Sequence, residues 1–238
     1  MNWIINGLVF LILFAANFLQ AITGFAGTLI SMPPTIKLIG ADSAKALLNA
    51  IAQISSLMIV CSSYQFIRWK EVIKILLGMF LGMFIGLWIY AHFPMHQLLV
   101  FYGILILCIA IKKMFFPSEI TLSKGMQYAI LLGAGIIHGM FVSGGALLVV
   151  YATMVFKEKD EFRASIALVW LITGFYITGI QVQQGHFNAH VLFLLIVGII
   201  PVFLGTYFGG KLVKKINQEV FMKITYVLLA LAGIMAIV

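Results

Sequence analysis

Hydrophobic residues dominate the chain in long runs, and the polar positions between them fall at regular intervals. Six runs read as single membrane-spanning helices, at about 44–67, 71–91, 97–112, 164–182, 189–210 and 221–238. Each is bounded by charge, glycine or proline and approaches the roughly 20 residues that a helix needs to cross a bilayer. The run at 97–112 is short. It reaches spanning length if its flanks are helical and Lys112 and Lys113 snorkel. Two further segments, 2–39 and 124–156, are too long for one crossing, and small residues break each near its middle. The breaks are Thr23 to Gly27 (TGFAG) and Ser143 to Gly145 (SGG). Pro33 and Pro34 are expected to distort the second part of the first segment, because proline lacks a donor and crowds the preceding turn. The pattern predicts an all-α polytopic membrane protein with eight conventional spans, segments 1 and 5 being broken helices or hairpins; resolving both hairpins raises the count to ten.

The two broken segments repeat one another. A shift of 118 residues lays Gln20 on His138, Gly27 on Gly145, Leu29 on Leu147, Asp42 on Asp160, Lys45 on Arg163 and Ala46 on Ala164. Further along, the shift grows to 123 and lays Gly82 on Gly205 and Gly86 on Gly209. An insertion near 181–186 accounts for the difference. The chain therefore reads as two membrane repeats, 1–118 and 119–238.

Composition agrees with a membrane protein: 63% hydrophobic and 9% charged residues, spread along the whole chain, leave no stretch for a large soluble domain. The formal charge of +8 does not indicate nucleic acid, since the 15 basic residues stand singly or in pairs at the edges of apolar runs, facing anionic lipid. The start, Met1 to Asn6, lacks a basic n-region and a cleavage motif, so it reads as the beginning of the first membrane segment. Cys61 and Cys108 form no CxxC pair and are expected to be buried free thiols. Charge also orients the halves. The loop at 68–74 carries Arg68, Lys70 and Lys74, whereas its counterpart 183–190 has no Lys or Arg; the bias of the next loop pair is reversed. If segments 2–39 and 124–156 each enter and return, twelve basic residues (68, 70, 74, 112, 113, 124, 157, 159, 163, 211, 214 and 215) fall on the cytoplasmic side, with only Lys37 and Lys45 outside. That arrangement predicts inverted halves, both termini outside, in the cell membrane.

The candidate site follows from the breaks. Gly24 and Gly27 in the first, and Gly144 and Gly145 in the second, permit close backbone approach and unusual dihedrals. Helices ending there present N–H groups to an anion or carbonyls to a cation, unless the glycines only tighten helix packing. Thr23 and Ser143 are nearby hydroxyls that either hold an oxyanion or cap a helix. Gln20 can donate to substrate or to a neighbouring helix. His138, between Ile137 and Gly139, is the histidine set within a membrane segment; it can bind an anion, carry a coupling proton, or serve as a neutral structural residue. His92, His96, His186 and His190 fall in loop regions and set out no zinc site. Asn49 and Gln53, four apart on one helical face, either line the route or lock helices together. Trp170, Thr173 and Tyr176 could form the opposing wall, with packing the simpler role for the two aromatics. Gly78, Gly82 and Gly86, echoed by Gly205 and Gly209, form a stripe for close helix packing.

These motifs together resemble the sulfite exporter TauE/SafE family of membrane transporters. The resemblance is carried by Gln20 to Ile30 followed by Pro33, by His138 to Leu148, and by the paired Lys45-Ala46 and Arg163-Ala164 steps. It covers nearly the whole chain. Ala26, which interrupts the glycines of the first motif, and Tyr151, near a position often proline, depart from the pattern. The resemblance implies a transporter for small sulfur-containing or organic anions such as sulfite, thiosulfate or sulfonates. Alternating access around the two breaks is the expected mechanism, with room for a coupling proton or ion; an anion channel using the same breaks as a passive filter is the alternative. No ATP-binding loop, HExxH or GxSxG motif is present, so neither primary transport nor an enzyme is expected, and no cofactor. The oligomeric state is not encoded.

Overall fold

The computed structural model describes residues 3–115, 123–142 and 144–237. Among them the chain is entirely helical. In order the helices are α1 (Trp3–Thr23), α2 (Ala26–Ile39), α3 (Ala41–Ser63), α4 (Trp69–His92), α5 (Met95–Phe115), α6 (Lys124–Phe141), α7 (Gly145–Val155), α8 (Lys159–Gln183), α9 (Ala189–Val213) and α10 (Gln218–Ile237), with a 3₁₀ turn at Tyr64–Phe66. Local chemistry sets several boundaries. Ser123 caps α6 by accepting from the Met126 N–H, and Asn188 caps α9 by accepting from Val191 at 2.9 Å. Gly40, at φ 82°, turns the chain between α2 and α3.

Five helical stretches among the described residues are long and apolar enough to cross a membrane alone: α1, α3 with its 3₁₀ turn, α4, α8 and α9. The sequence reading expected eight. α5, α6 and α10 have 21, 18 and 20 residues but stand outside this set. α2 and α7, with 14 and 11 residues, are too short for a roughly 30 Å hydrocarbon layer at about 1.5 Å per residue. They follow the two breaks in the chain. α2 continues as a helix through Pro33 and Pro34. Only the donors that would have served the Leu29 and Ile30 carbonyls are lost, while Leu29, Met32 and Pro33 are buried.

The surface is inverted relative to that of a water-soluble bundle. On α4, Ile73, Leu77, Leu81, Phe84 and Trp88 are exposed, while Val72, Ile75, Met79 and Met83 face the core. Inside, by contrast, lie Asn17, Gln20, Asn49, Gln53, Ser56, His138 and Arg163. Apolar groups outward and polar groups inward is the arrangement that lipid requires. Cys61 and Cys108 are free but exposed, contrary to expectation. Each belongs to an outward stripe, Cys61 one turn from exposed Leu57 and Cys108 one turn from exposed Ile104 and Ile111. An apolar run has both a lipid face and a core face, and sequence alone does not separate them.

The most extensive helix contacts are α4 with α6, α1 with α9, α5 with α10, and α3 with α8. Glycines bring the first two pairs together. A Cβ on Gly82 would stand 2.1 Å from the Leu132 carbonyl oxygen, and one on Gly86 2.1 Å from that of Ile136. A Cβ on Gly205 would stand 2.5 Å from the Phe14 oxygen, and one on Gly209 2.4 Å from that of Phe18. The glycine stripe packs helices, as its spacing suggests. Contacts also gather much of the basic charge at one end of the bundle. There Arg68 pairs with Glu161 at 3.1 Å, Lys74 donates to Gln127 at 3.1 Å, and Lys159 donates to the Val213 and Ile216 carbonyls. At the other end His190, in the first turn of α9, pairs with Asn6 at 3.0 Å, and Tyr90 donates to Asp42 at 2.7 Å.

Candidate functional site

The first break is a knot of short-range hydrogen bonds. α1 ends as the Gly24 N–H reaches the Gln20 carbonyl at 2.7 Å, with Gly24 at φ 83°. The Gln20 side chain then spans the gap: Oε1 accepts from the Gly27 N–H at 2.9 Å, and Nε2 donates to the Gly24 carbonyl at 3.2 Å. Thr23 Oγ1 donates to the Leu19 carbonyl at 2.8 Å and accepts from Ala26 N–H at 3.0 Å. Gln20 and Thr23 therefore occupy donors at the start of α2 that would otherwise face an anion. Gly27 is required by space, since a Cβ would stand 2.8 Å from the Ala16 carbonyl oxygen. Beside the knot, among Asn17, Gln20, Gly27 and Ser31, a cavity of about 10 Å³ has room for one water.

The second break begins as the first does, with a left-handed residue whose N–H closes the preceding helix, but its side chains differ. The Val142 N–H reaches the His138 carbonyl at 2.7 Å, and Val142 takes the left-handed conformation at φ 54°, a strained choice for a β-branched residue. Gly144 lies so close to α6 that a Cβ would stand 2.3 Å from the Ala134 carbonyl oxygen. Ser143 lies outside the described residues, as do the side chains of His96 and Lys113. His138 stands where the first break has Gln20, but it bridges nothing. It is 2% exposed, and among the described residues neither ring nitrogen has a hydrogen-bond partner. Its ring lies 4.8 Å from that of Trp170, whose Nε1 is likewise unpartnered. Buried nitrogens without partners are costly and point to something that satisfies them. The two breaks also touch, because a Cβ on Gly145 would stand 2.9 Å from Phe25 Cδ2.

α3 separates the remaining candidates from the first break. Its Leu48, Ile51 and Ala52 face the small cavity, while Asn49 turns to α8 and offers Nδ2 to the Gly174 carbonyl at 3.1 Å, Thr178 Oγ1 at 2.9 Å and Gln181 Oε1 at 3.1 Å. Two N–H bonds shared among three acceptors lock α3 to α8. Gln53 packs on Gly174, where a Cβ would overlap its amide at 1.7 Å, and its Oε1 has no partner among the described residues. Tyr176 packs edge-on against Phe80 and Phe84, each at 5.7 Å between ring centroids.

Two buried cations escaped the sequence reading as site residues. Lys45, 5% exposed, holds its ammonium 3.1 Å from the centre of the Tyr90 ring. Arg163, 6% exposed, donates Nε to the Ala21 carbonyl at the end of α1 and Nη1 to Ser63 Oγ at 3.4 Å. The signal was available: each sits about one turn into its helix, and the 118-residue shift superposes them.

No curated protein and no solved structure matches the chain. The family described as Sulfite exporter TauE/SafE matches residues 9–236, nearly the whole sequence. With its membrane-spanning helices and inward-facing polar groups, the chain belongs to the sulfite exporter TauE/SafE family and is a multi-pass cell-membrane protein, a secondary transporter rather than an enzyme.

Proposed function

We propose that the protein carries small sulfur-containing or organic anions across the membrane by alternating access between two inverted halves, residues 1–118 and 119–238, built from eight membrane segments of which the first and fifth are hairpins that enter and return. The family description names sulfite, which supports the substrate class. The observation that carries the site is His138, buried and unpartnered at a break that touches its counterpart. Trp170 Nε1, Gln53 Oε1 and Ser56 Oγ are also buried without partners among the described residues, and α3 and α8 carry them past one another. In this reading His138, Trp170 and Gln53 face the anion with Gly144 and Gly145, whereas Gln20, Thr23, Gly24 and Gly27 shape the first break, and Asn49 holds the wall.

The reciprocal packing supports the duplication. Gly82 meets the Leu132 oxygen and the Ile136 nitrogen; Gly205 meets the Phe14 oxygen and the Phe18 nitrogen. These contacts interconvert under the two shifts, 123 for the glycines and 118 for their partners. The left-handed Gly24 and Val142 are related by the same 118.

Flux of radiolabelled sulfite into proteoliposomes, with thiosulfate, sulfate and sulfonates as competitors and an imposed pH gradient, tests the reading. Saturable, competed uptake is expected; flux linear in concentration identifies a channel and removes alternating access. Sidedness has its own test in a Cys61→Ser/Cys108→Ser background, both native thiols being exposed. Cysteines at His92 and Gln184 are expected to react with an impermeant maleimide from outside, and those at Lys124 and Lys157 to stay unlabelled. Labelling of all four from one side contradicts the inverted topology.

A further inference from the structure

We infer that a second anion site, specific for a small oxyanion such as sulfite or a sulfonate, lies at the basic end of the bundle between the last turns of α3 and α9 and the first turns of α8. A cavity of about 300 Å³ opens there among Ser63, Arg163, Thr206, Tyr207, Lys211 and Lys214. That volume is at the small end of ligand pockets. It suits a compact anion rather than a nucleotide. Arg163 is the buried wall. Its Nε and Nη1 use two of five N–H donors, and Nη2 points towards Gly210, 4.0 Å from where a Cβ would stand. Among the described residues no carboxylate is within salt-bridge distance of Arg163: Glu161 is engaged by Arg68 and Glu219 by Lys223. Lys211 lies over the Tyr207 ring, 4.3 Å from its centre, and Lys214 completes the rim.

Asp160 is near enough to act on the Arg163 guanidinium electrostatically but makes no ion pair with it, and an oxyanion that accepts a forked pair of its N–H bonds offsets more of the cost of removing it from water. Ser63 Oγ, which accepts from Arg163, lines the same cavity, while Thr206 Oγ1 shares a hydrogen bond with Ser55 at 3.2 Å. The pocket is distinct from the His138 cluster but connected to the first break, since the Arg163 guanidinium also holds the Ala21 carbonyl. An anion on the remaining donors would therefore share one guanidinium with the end of α1. The identity of the anion as a transported solute rests on the proposed function above; the pocket itself does not.

The test uses the purified full chain in phosphatidylcholine nanodiscs, with radiolabelled sulfite, thiosulfate and methanesulfonate as probes. At least one is expected to bind, and Lys211→Gln/Lys214→Gln, changes at exposed side chains, to raise its half-saturating concentration about tenfold. Arg163→Lys, which keeps the charge and loses the planar fork, is expected to weaken binding as well. Equal binding by the parent and the double variant, or no binding of any probe by the parent, overturns the pocket whatever flux is seen. Lysine-dependent binding without proteoliposome flux keeps the pocket and removes the transport reading. Binding displaced when about one third of the lipid is phosphatidylglycerol assigns the cavity to lipid headgroups and overturns it as a solute site.

Discussion

Replacing His138 with phenylalanine is expected to reduce saturable anion flux at least tenfold while leaving the melting temperature of the solubilised protein unchanged or raised. The ring keeps its place against Trp170 and its approximate volume, so packing is retained. Only the two nitrogens are lost, and they have no partner among the described residues. A buried polar group left unsatisfied costs about 1–3 kcal/mol, so its removal should not destabilise. A residue whose role was structural would show the opposite pattern, a lower melting temperature with flux per folded molecule intact. Gln20→Leu is the instructive contrast, because Gln20 bridges Gly27 and Gly24 and its loss should lower stability and flux together. Saturable flux at parent rates in His138→Phe removes His138 from the site.

Gly82→Leu is expected to be the most damaging single change to the fold. Its Cβ would stand 2.1 Å from the Leu132 carbonyl oxygen and 2.8 Å from the Ile136 nitrogen, both backbone atoms on α6. No rotamer relieves a backbone clash; the α4–α6 pair must separate, losing the most extensive helix contact among the described residues. Overpacking of this kind costs about 3 kcal/mol or more, enough to unfold a marginal protein. Gly179→Leu supplies the control, since a Cβ there meets nothing within 4 Å. The measurement is the monodisperse fraction on size exclusion and the thermal midpoint in detergent. Matching behaviour of the two variants would show that the glycine stripe does not set the helix spacing.

Much of the helix plan was readable from sequence because lipid imposes a length. The run at 71–91 became α4, Trp69–His92, and the overlong segments broke at Thr23–Gly27 and around Ser143–Gly145, where small residues lower the cost of an irregular backbone. Side-chain roles were less accessible, and for a physical reason. Gln20 and His138 occupy the same position in the two breaks, yet one closes its knot and the other stands open, a difference decided by which atoms reach across the turn. Asn49 reads equally well as a route-lining or a locking residue until α8, 125 positions away, brings up three acceptors. The Arg163 cavity is assembled from three distant segments, and apolarity on both faces of every helix leaves little amphipathic signal to foretell their meeting.

The pairing of α1 with α9, α4 with α6, α3 with α8 and α5 with α10 has a consequence for biosynthesis. Every one of these partnerships joins residues 1–118 to residues 119–238. As the ribosome releases the early helices, Gln53, Asn49 and the glycines of α4 have no mates yet, and α1 must wait for a helix that begins at Ala189. The nascent protein is thus held open, its polar interior awaiting the final third of the polypeptide, and a truncated product offers the membrane's quality-control proteases the Asn49 and Gln53 amides that the mature molecule buries.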